Sequence, residues 1–226
     1  SMLFRAMPSG RRVPIEAVLA IAIELCRAVG YAHDWRDEDG LRRPIVHGDL
    51  SPSNMMLRRD GGVTLIDFGV AHMDARIARG QAQLVIGKSG YLAPELFENT
   101  LPDARTDVFS AGVVLHELLA GRHLFVVESE RETLRRRAET KGLPPSSSNP
   151  RVTRKLDEIV LRALCRDPAR RFASASEMAD ALERLETPRR ATRRQVAAFL
   201  RPLLDGGIPV FDEPVTSPIA LAAPAA

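Results

Sequence analysis

Residues 47–54 form the polar stretch His47-Gly48-Asp49-Leu50-Ser51-Pro52-Ser53-Asn54. It places the carboxylate of Asp49 close to the amide of Asn54, and a second carboxylate, Asp67, follows a short way along the chain. A carboxylate can accept a proton from an incoming hydroxyl, and oxygen ligands of this kind hold a hard cation that bridges phosphates. The spacing therefore predicts magnesium-assisted transfer of a phosphoryl group.

Two short apolar segments predict a β-hairpin between Asn54 and Asp67. Residues 55–57 and 63–66 flank the polar stretch 58–62, which ends in two glycines and is typical of a tight turn. Asn54 would lie just before one strand and Asp67 just after the other. The turn would thereby bring the two side chains together.

Apolar periodicity predicts helices around this hairpin. A central helix from Val108 to Leu119 is apolar nearly all round, with Asp107 as its N-cap and Gly121 as its stop. The other predicted helices span 14–33, 131–141, 156–164, 174–185 and about 190–204.

Composition indicates one globular core with a tail. The chain has 226 residues, 45% of them hydrophobic, and a net charge of +3. Its arginine pairs are dispersed, which favours a solvated surface over a nucleic-acid patch.

Cys26 and Cys165 lie in apolar helical patterns without metal or redox spacing, so we predict buried thiols in a reducing compartment. With no recognisable signal peptide or membrane span, the prediction is a cytoplasmic protein.

Further motifs follow in a fixed order: Asp67-Phe68-Gly69, Ala93-Pro94-Glu95, and Asp167-Pro168 with Arg171. Together with residues 47–54, they resemble the C-terminal lobe of a eukaryotic-like bacterial Ser/Thr protein kinase. The fold class implied is mainly α with a small β-hairpin. The resemblance covers residues 1–186, and we predict a basic helical extension over 187–204 and a Pro/Ala-rich disordered tail over 205–226.

The resemblance also implies roles. Asp49 would be the catalytic base, and Asn54 and Asp67 would hold Mg²⁺ against the phosphates of ATP. Glu95 would pair with Arg171 and so tie the end of the activation segment to the distal helices.

Two residues implied by the resemblance would support the catalytic loop rather than react. Asp107 would bond to the backbone of this loop, in addition to capping the central helix. His47 would be a buried hydrogen-bonding residue in preference to a base.

The sequence departs from the commonest family pattern at three positions. Gly48 stands where many kinases carry an arginine that grips an activation-loop phosphate, and the only hydroxyl between Val70 and Gly90 is that of Ser89. Activity is therefore predicted not to depend on activation-loop phosphorylation.

Ser51 replaces the usual lysine and Lys88 the usual threonine, so we hypothesise that Lys88 supplies the ammonium and Ser51 the hydroxyl. The alternative is that Lys88 points to solvent.

Two other function classes are weighed against this one. Residues 47–50 also resemble small-molecule phosphotransferases of the aminoglycoside and choline type, but those lack the apparatus of Glu95, Asp107 and Arg171. The second alternative is an inactive half-kinase that acts as a binding module.

No Gly-x-Gly-x-x-Gly motif occurs in the sequence, and only a few residues precede Pro14. We therefore expect the chain to begin after the hinge and, by itself, to be a poor kinase. The expected partners are a protein substrate, ATP, and an N-terminal lobe or a sensor domain of the full-length protein. Nucleic acid is not expected as a partner.

Overall fold

α-Helices and one β-hairpin make up the part of the chain that the computed structural model describes, namely residues 12–68, 90–98, 100–125, 143–186 and 191–204. The elements are α1 (Ile15–His33), β1 (Met55–Leu57), β2 (Val63–Leu65), α2 (Ala104–Ala120), α3 (Arg154–Ala163), α4 (Ala175–Glu183) and α5 (Arg193–Leu204). Short 3-10 helices cover Pro94–Glu98, Pro145–Ser147 and Pro168–Arg170. The predicted fold class, mainly α with a small hairpin, is confirmed.

Helix α2 forms the centre of the core. Every residue from Thr106 to Ala120 is buried, as the nearly uniform apolar pattern predicts. Helices α1, α3 and α4 pack around it. The predicted cap was wrong: Asp103 is the N-cap, and its carboxylate accepts from the Arg105 amide at 2.7 Å. Asp107 lies inside the first turn of α2, where its carboxylate can accept hydrogen bonds from another part of the chain.

Helix α1 presents one apolar face to α2, α4 and the hairpin. It begins directly after Pro14, close to the predicted start. Cys26 on this face is buried, and its burial raises the pKa of the thiol to about 12, so the thiol stays protonated. The second cysteine departs from the prediction, since Cys165 is only partly buried in the bend after α3.

The hairpin is antiparallel, with Met55 opposite Leu65 and Leu57 opposite Val63. The bounds of the two strands agree with the predicted segments 55–57 and 63–66 to within one residue. The predicted helix over 131–141 and the tail over 205–226 lie outside the described residues. No helix in the described ranges combines the length and apolar character needed to span a bilayer.

A buried ion pair joins three parts of the fold. The Arg171 Nη1 and Nη2 atoms donate to the two carboxylate oxygens of Glu95, at 2.8 Å each. The same guanidinium donates to the carbonyls of Arg105, Cys165 and Arg166. The predicted pairing is therefore confirmed, and the guanidinium links residues 90–98 to α2 and to the bend after α3.

We predict that Arg171→Met lowers the free energy of unfolding by about 3–5 kcal/mol, because it leaves the Glu95 carboxylate buried without a counter-charge. The matched control is Arg154→Met, which removes an exposed arginine from the ion pair with Glu158. Pairs of that kind contribute about 0–1 kcal/mol. Urea denaturation followed by circular dichroism measures both, and equal effects would contradict the assigned role of the buried pair.

Candidate active site

The loop at residues 47–54 is anchored by one buried carboxylate. Asp107, with no exposed surface, accepts the backbone N–H groups of His47 at 2.7 Å and of Gly48 at 2.8 Å. The His33 Nε2 atom, at the end of α1, lies 2.8 Å from the same carboxylate. The predicted bond from Asp107 to the loop backbone is confirmed, whereas the contact with His33 was not predicted.

The backbone conformation at position 48 favours glycine. Its φ is 71°, in the left-handed region that residues with a Cβ rarely adopt. This conformation turns the Gly48 amide toward Asp107 and directs the chain into Asp49. The absence of an arginine side chain here thus coincides with a sharp turn of the loop.

Asn54 is bonded to Asp49 within the same loop. Its Nδ2 atom donates to the Asp49 carbonyl at 2.8 Å and to the Asp49 carboxylate at 3.0 Å. Asn54 is buried, while Asp49 is partly accessible. The two donated hydrogen bonds fix the orientation of the amide group, so its oxygen is directed away from Asp49.

The hairpin connects Asp67 to this pair. The Ile66 amide donates to the Asn54 carbonyl at 3.0 Å, which places Asp67 one residue beyond the bond that closes the hairpin. Asp67 itself is exposed and has a φ of 55°, an uncommon conformation that aspartate tolerates better than most residues. Hydrogen bonds therefore run from Asp49 through Asn54 to the residue that precedes Asp67.

His47 holds the same two segments together from inside. It is fully buried, its Nε2 atom lies 3.2 Å from the Ile66 carbonyl oxygen, and its ring centroid lies 4.7 Å from that of Phe68. The Asp49 amide donates to its Nδ1 atom at 3.3 Å. The predicted supporting role of His47 is confirmed by these contacts.

The side chains present fit Mg²⁺ better than a metal that needs a closed protein cage. Within the described ranges, no three His, Cys, Asp or Glu side chains lie together as a metal cluster. Asp67 and the oriented amide of Asn54 would supply one carboxylate and one amide oxygen. Mg²⁺ is commonly bound by one or two protein oxygen ligands together with substrate phosphates and water.

Of the other two predicted catalytic residues, one lies in the described structure. The Ser51 side chain is buried, and its Oγ atom lies 2.8 Å from that of Ser53. Lys88 falls outside the described residues, so its proposed exchange with Ser51 stays a prediction.

The segment after residue 89 is fixed to α2 by contacts that the sequence did not reveal. The Tyr91 hydroxyl donates to the buried Glu117 carboxylate at 2.7 Å, and the Tyr91 carbonyl accepts from the Ser110 hydroxyl at 2.8 Å. Burial, together with the neighbouring Glu117 charge, raises the pKa of Tyr91, so this hydroxyl stays a donor. Such partners are far apart along the chain and leave no local pattern.

Comparison with known proteins agrees with this arrangement. A sequence profile described as "Protein kinase domain" matches residues 2–182. The chain is 37% identical over 180 residues to the probable serine/threonine-protein kinase SCO3848 of Streptomyces coelicolor, covering 79% of this chain and 26% of that protein.

Two other relatives show a similar coverage. The chain is 34% identical over 171 residues to the tyrosine-protein kinase MasK of Myxococcus xanthus, covering 76% of this chain and 26% of the relative. It is also 34% identical over 171 residues to the serine/threonine-protein kinase PknB of Mycolicibacterium smegmatis, with 75% and 26% covered. The chain thus spans about a quarter of the length of these relatives. The extent of the profile match, together with the connected Asp49, Asn54 and Asp67 segments, shows that the chain belongs to the protein kinase domain family.

Proposed function

We propose that this chain is the C-terminal lobe of a Ser/Thr protein kinase, over residues 1–186, and that the full-length protein transfers the γ-phosphoryl group of ATP to a protein hydroxyl. The observation that carries the proposal is the bonded connection from Asp49 through Asn54 to the residue before Asp67. A base and two oxygen ligands held in one frame suit phosphoryl transfer, in which positioning and charge stabilisation supply most of the catalysis.

In this proposal, Asp49 accepts the proton of the substrate hydroxyl as its oxygen attacks the γ-phosphorus. The bond between the γ-phosphorus and the bridging oxygen breaks, and ADP leaves with that oxygen. Asn54 and Asp67 would hold Mg²⁺, which when bound would supply positive charge against the phosphates. The Asn54 bonds to Asp49 keep the base and the ligand at a fixed separation.

Asp49, Asn54 and Asp67 alone would leave most of a bound nucleotide exposed to solvent. The sequence holds no glycine-rich loop, so we propose that another segment of the full-length protein covers the phosphates. The cytoplasmic location predicted from the sequence stays a prediction, as does the identity of the protein substrate.

Serine or threonine is the proposed acceptor, although the relatives' names differ on this point. Two of the three relatives described above are named serine/threonine kinases and one a tyrosine kinase. Peptide libraries whose only hydroxyl is Ser, Thr or Tyr decide between the classes. With the full-length protein, ATP and Mg²⁺, we expect phosphate on Ser and Thr peptides. Transfer to Tyr peptides alone would contradict the acceptor class.

We predict that Asp49→Asn in the full-length protein lowers turnover by about 10²–10⁴-fold, because the amide cannot accept the hydroxyl proton. The control is Asp39→Asn in the exposed loop after α1, where Asp39 contributes its backbone amide to a bond with Asp37. Initial rates of phosphopeptide formation measure both. If Asp49→Asn retains full turnover, Asp49 is not the base.

If Lys88 supplies the ammonium in place of Ser51, Lys88→Ala is expected to lower turnover by about 10-fold or more, because the transferred phosphoryl group would lose a stabilising positive charge. The matched control is Lys155→Ala on α3, whose side chain is 70% exposed. Both variants are compared at saturating ATP and peptide. Unchanged turnover of Lys88→Ala would exclude the hypothesis that Lys88 compensates for Ser51.

A further inference from the structure

Helix α5 belongs to the folded core although the family profile ends at residue 182. Val196 and Leu200 are each 1% exposed and join the apolar core, and Phe199 packs partly against it. The opposite face carries exposed Arg194 and Arg201. Helix α5 is therefore an amphipathic element that is docked on the lobe.

The backbone of α5 lies directly against the turn of the hairpin. A Cβ atom at Gly61 would lie 2.1 Å from the Arg193 carbonyl oxygen and 3.0 Å from the Ala197 nitrogen. Both are backbone atoms, so the contact cannot be relieved by moving a side chain. Gly61 has a φ of 86°, so this glycine meets both a backbone and a packing requirement.

An ion pair fixes the same end of α5 to α1. The Arg193 Nε and Nη2 atoms donate to the two carboxylate oxygens of Glu24, at 2.8 Å each. Since α1 also packs against β2, the hairpin turn, α1 and the start of α5 meet at one place. The turn is thereby held from two sides.

The hairpin depends on such support. Its strands have three residues each, and a two-stranded hairpin by itself is marginally stable in water. Asn54 lies just before β1, and Asp67 lies two residues after β2. Any opening or twisting of the strands would therefore change the separation of these two side chains.

We propose that α5 is a positioning element for the metal ligands: by clamping the turn at Gly61, it sets the separation of Asn54 and Asp67 at the other end of the hairpin. This inference rests on the proposed function, because it assumes that both side chains bind Mg²⁺. Arg193 and Gly61 are positioning residues and do not touch the metal.

The first test is Gly61→Ala in the full-length protein, with Gly40→Ala as the matched control. Gly40 has a φ of 76°, and a Cβ atom there would meet nothing within 4 Å. Both variants carry similar backbone strain, but only Gly61→Ala pushes the turn away from α5. We expect the half-saturating Mg²⁺ concentration to rise by about 10-fold for Gly61→Ala and to stay unchanged for Gly40→Ala.

Hydrogen exchange of the Ile66 amide, which closes the hairpin onto Asn54, gives a readout that does not depend on activity. It is expected to speed up in Gly61→Ala, while the amides of α2 keep their exchange rates. A purely structural role of α5 would instead speed exchange throughout the lobe without a selective change at Ile66.

Charge reversal tests the same inference from the α5 side and replaces the first test if Gly61→Ala does not fold. Arg193→Glu should raise the half-saturating Mg²⁺ concentration, and adding Glu24→Arg should restore it. A wild-type protein that transfers phosphate without Mg²⁺, or not at all, would refute the proposed function. A Mg²⁺-dependent wild type whose Gly61→Ala and Arg193→Glu variants keep its Mg²⁺ dependence would refute the role of α5 alone.

Discussion

The carboxylate of Asp107 is the constraint on which the candidate site depends. It lies in the most buried helix of the described structure and receives hydrogen bonds from two successive backbone amides of the loop at residues 47–54. A buried carboxylate is tolerated only when it is fully hydrogen-bonded, so the loop cannot leave without a large cost. His33 adds a third contact, and its Nδ1 atom has no hydrogen-bond partner among the described residues. Since the Asp107 carboxylate can only accept, the Nε2 atom of His33 is the donor in this contact.

Helix α2 also contacts both segments that flank the candidate site. Near its beginning it holds the loop that carries Asp49, and toward its end Glu117 holds the hydroxyl of Tyr91. The ion pair of Glu95 with Arg171 fixes the same segment from the other side. Because one helix contacts both segments, the core sets the distance from Asp49, the proposed base, to the surface beside residues 90–98. This is the kind of positioning that catalysis of phosphoryl transfer requires.

Local patterns allowed the elements to be predicted, and pairings implied by the family resemblance were confirmed where their residues are described. The hairpin and α1 follow from turn chemistry and apolar periodicity, which depend on near neighbours. The predicted N-cap of α2 was wrong because both Asp103 and Asp107 suit the start of a helix. Only the tertiary contact shows that Asp107 bonds to the loop and that Asp103 is the cap.

Contacts between distant residues could not be read from the sequence. His33 lies 74 residues from Asp107, and Tyr91 lies 26 residues from Glu117, so no periodicity connects them. The docking of α5 is of the same kind: its amphipathic pattern predicts a helix but not the surface that it covers. Cys165 was predicted to be buried from the apolar pattern of α3, but that helix ends at Ala163, and the bend beyond it is partly open.

The most direct measurement compares turnover of the full-length protein carrying Asp107→Asn with that of Asp103→Asn. Both changes replace an aspartate by asparagine near the start of α2, and asparagine caps a helix about as well as aspartate. In Asp107→Asn, the amide NH₂ group would face one of the two backbone N–H groups that now bond to separate carboxylate oxygens, and this repulsion would displace Asp49. We expect a loss of turnover of about 10²-fold or more for Asp107→Asn and none for Asp103→Asn. Equal turnover of the two variants would contradict the dependence of the site on Asp107.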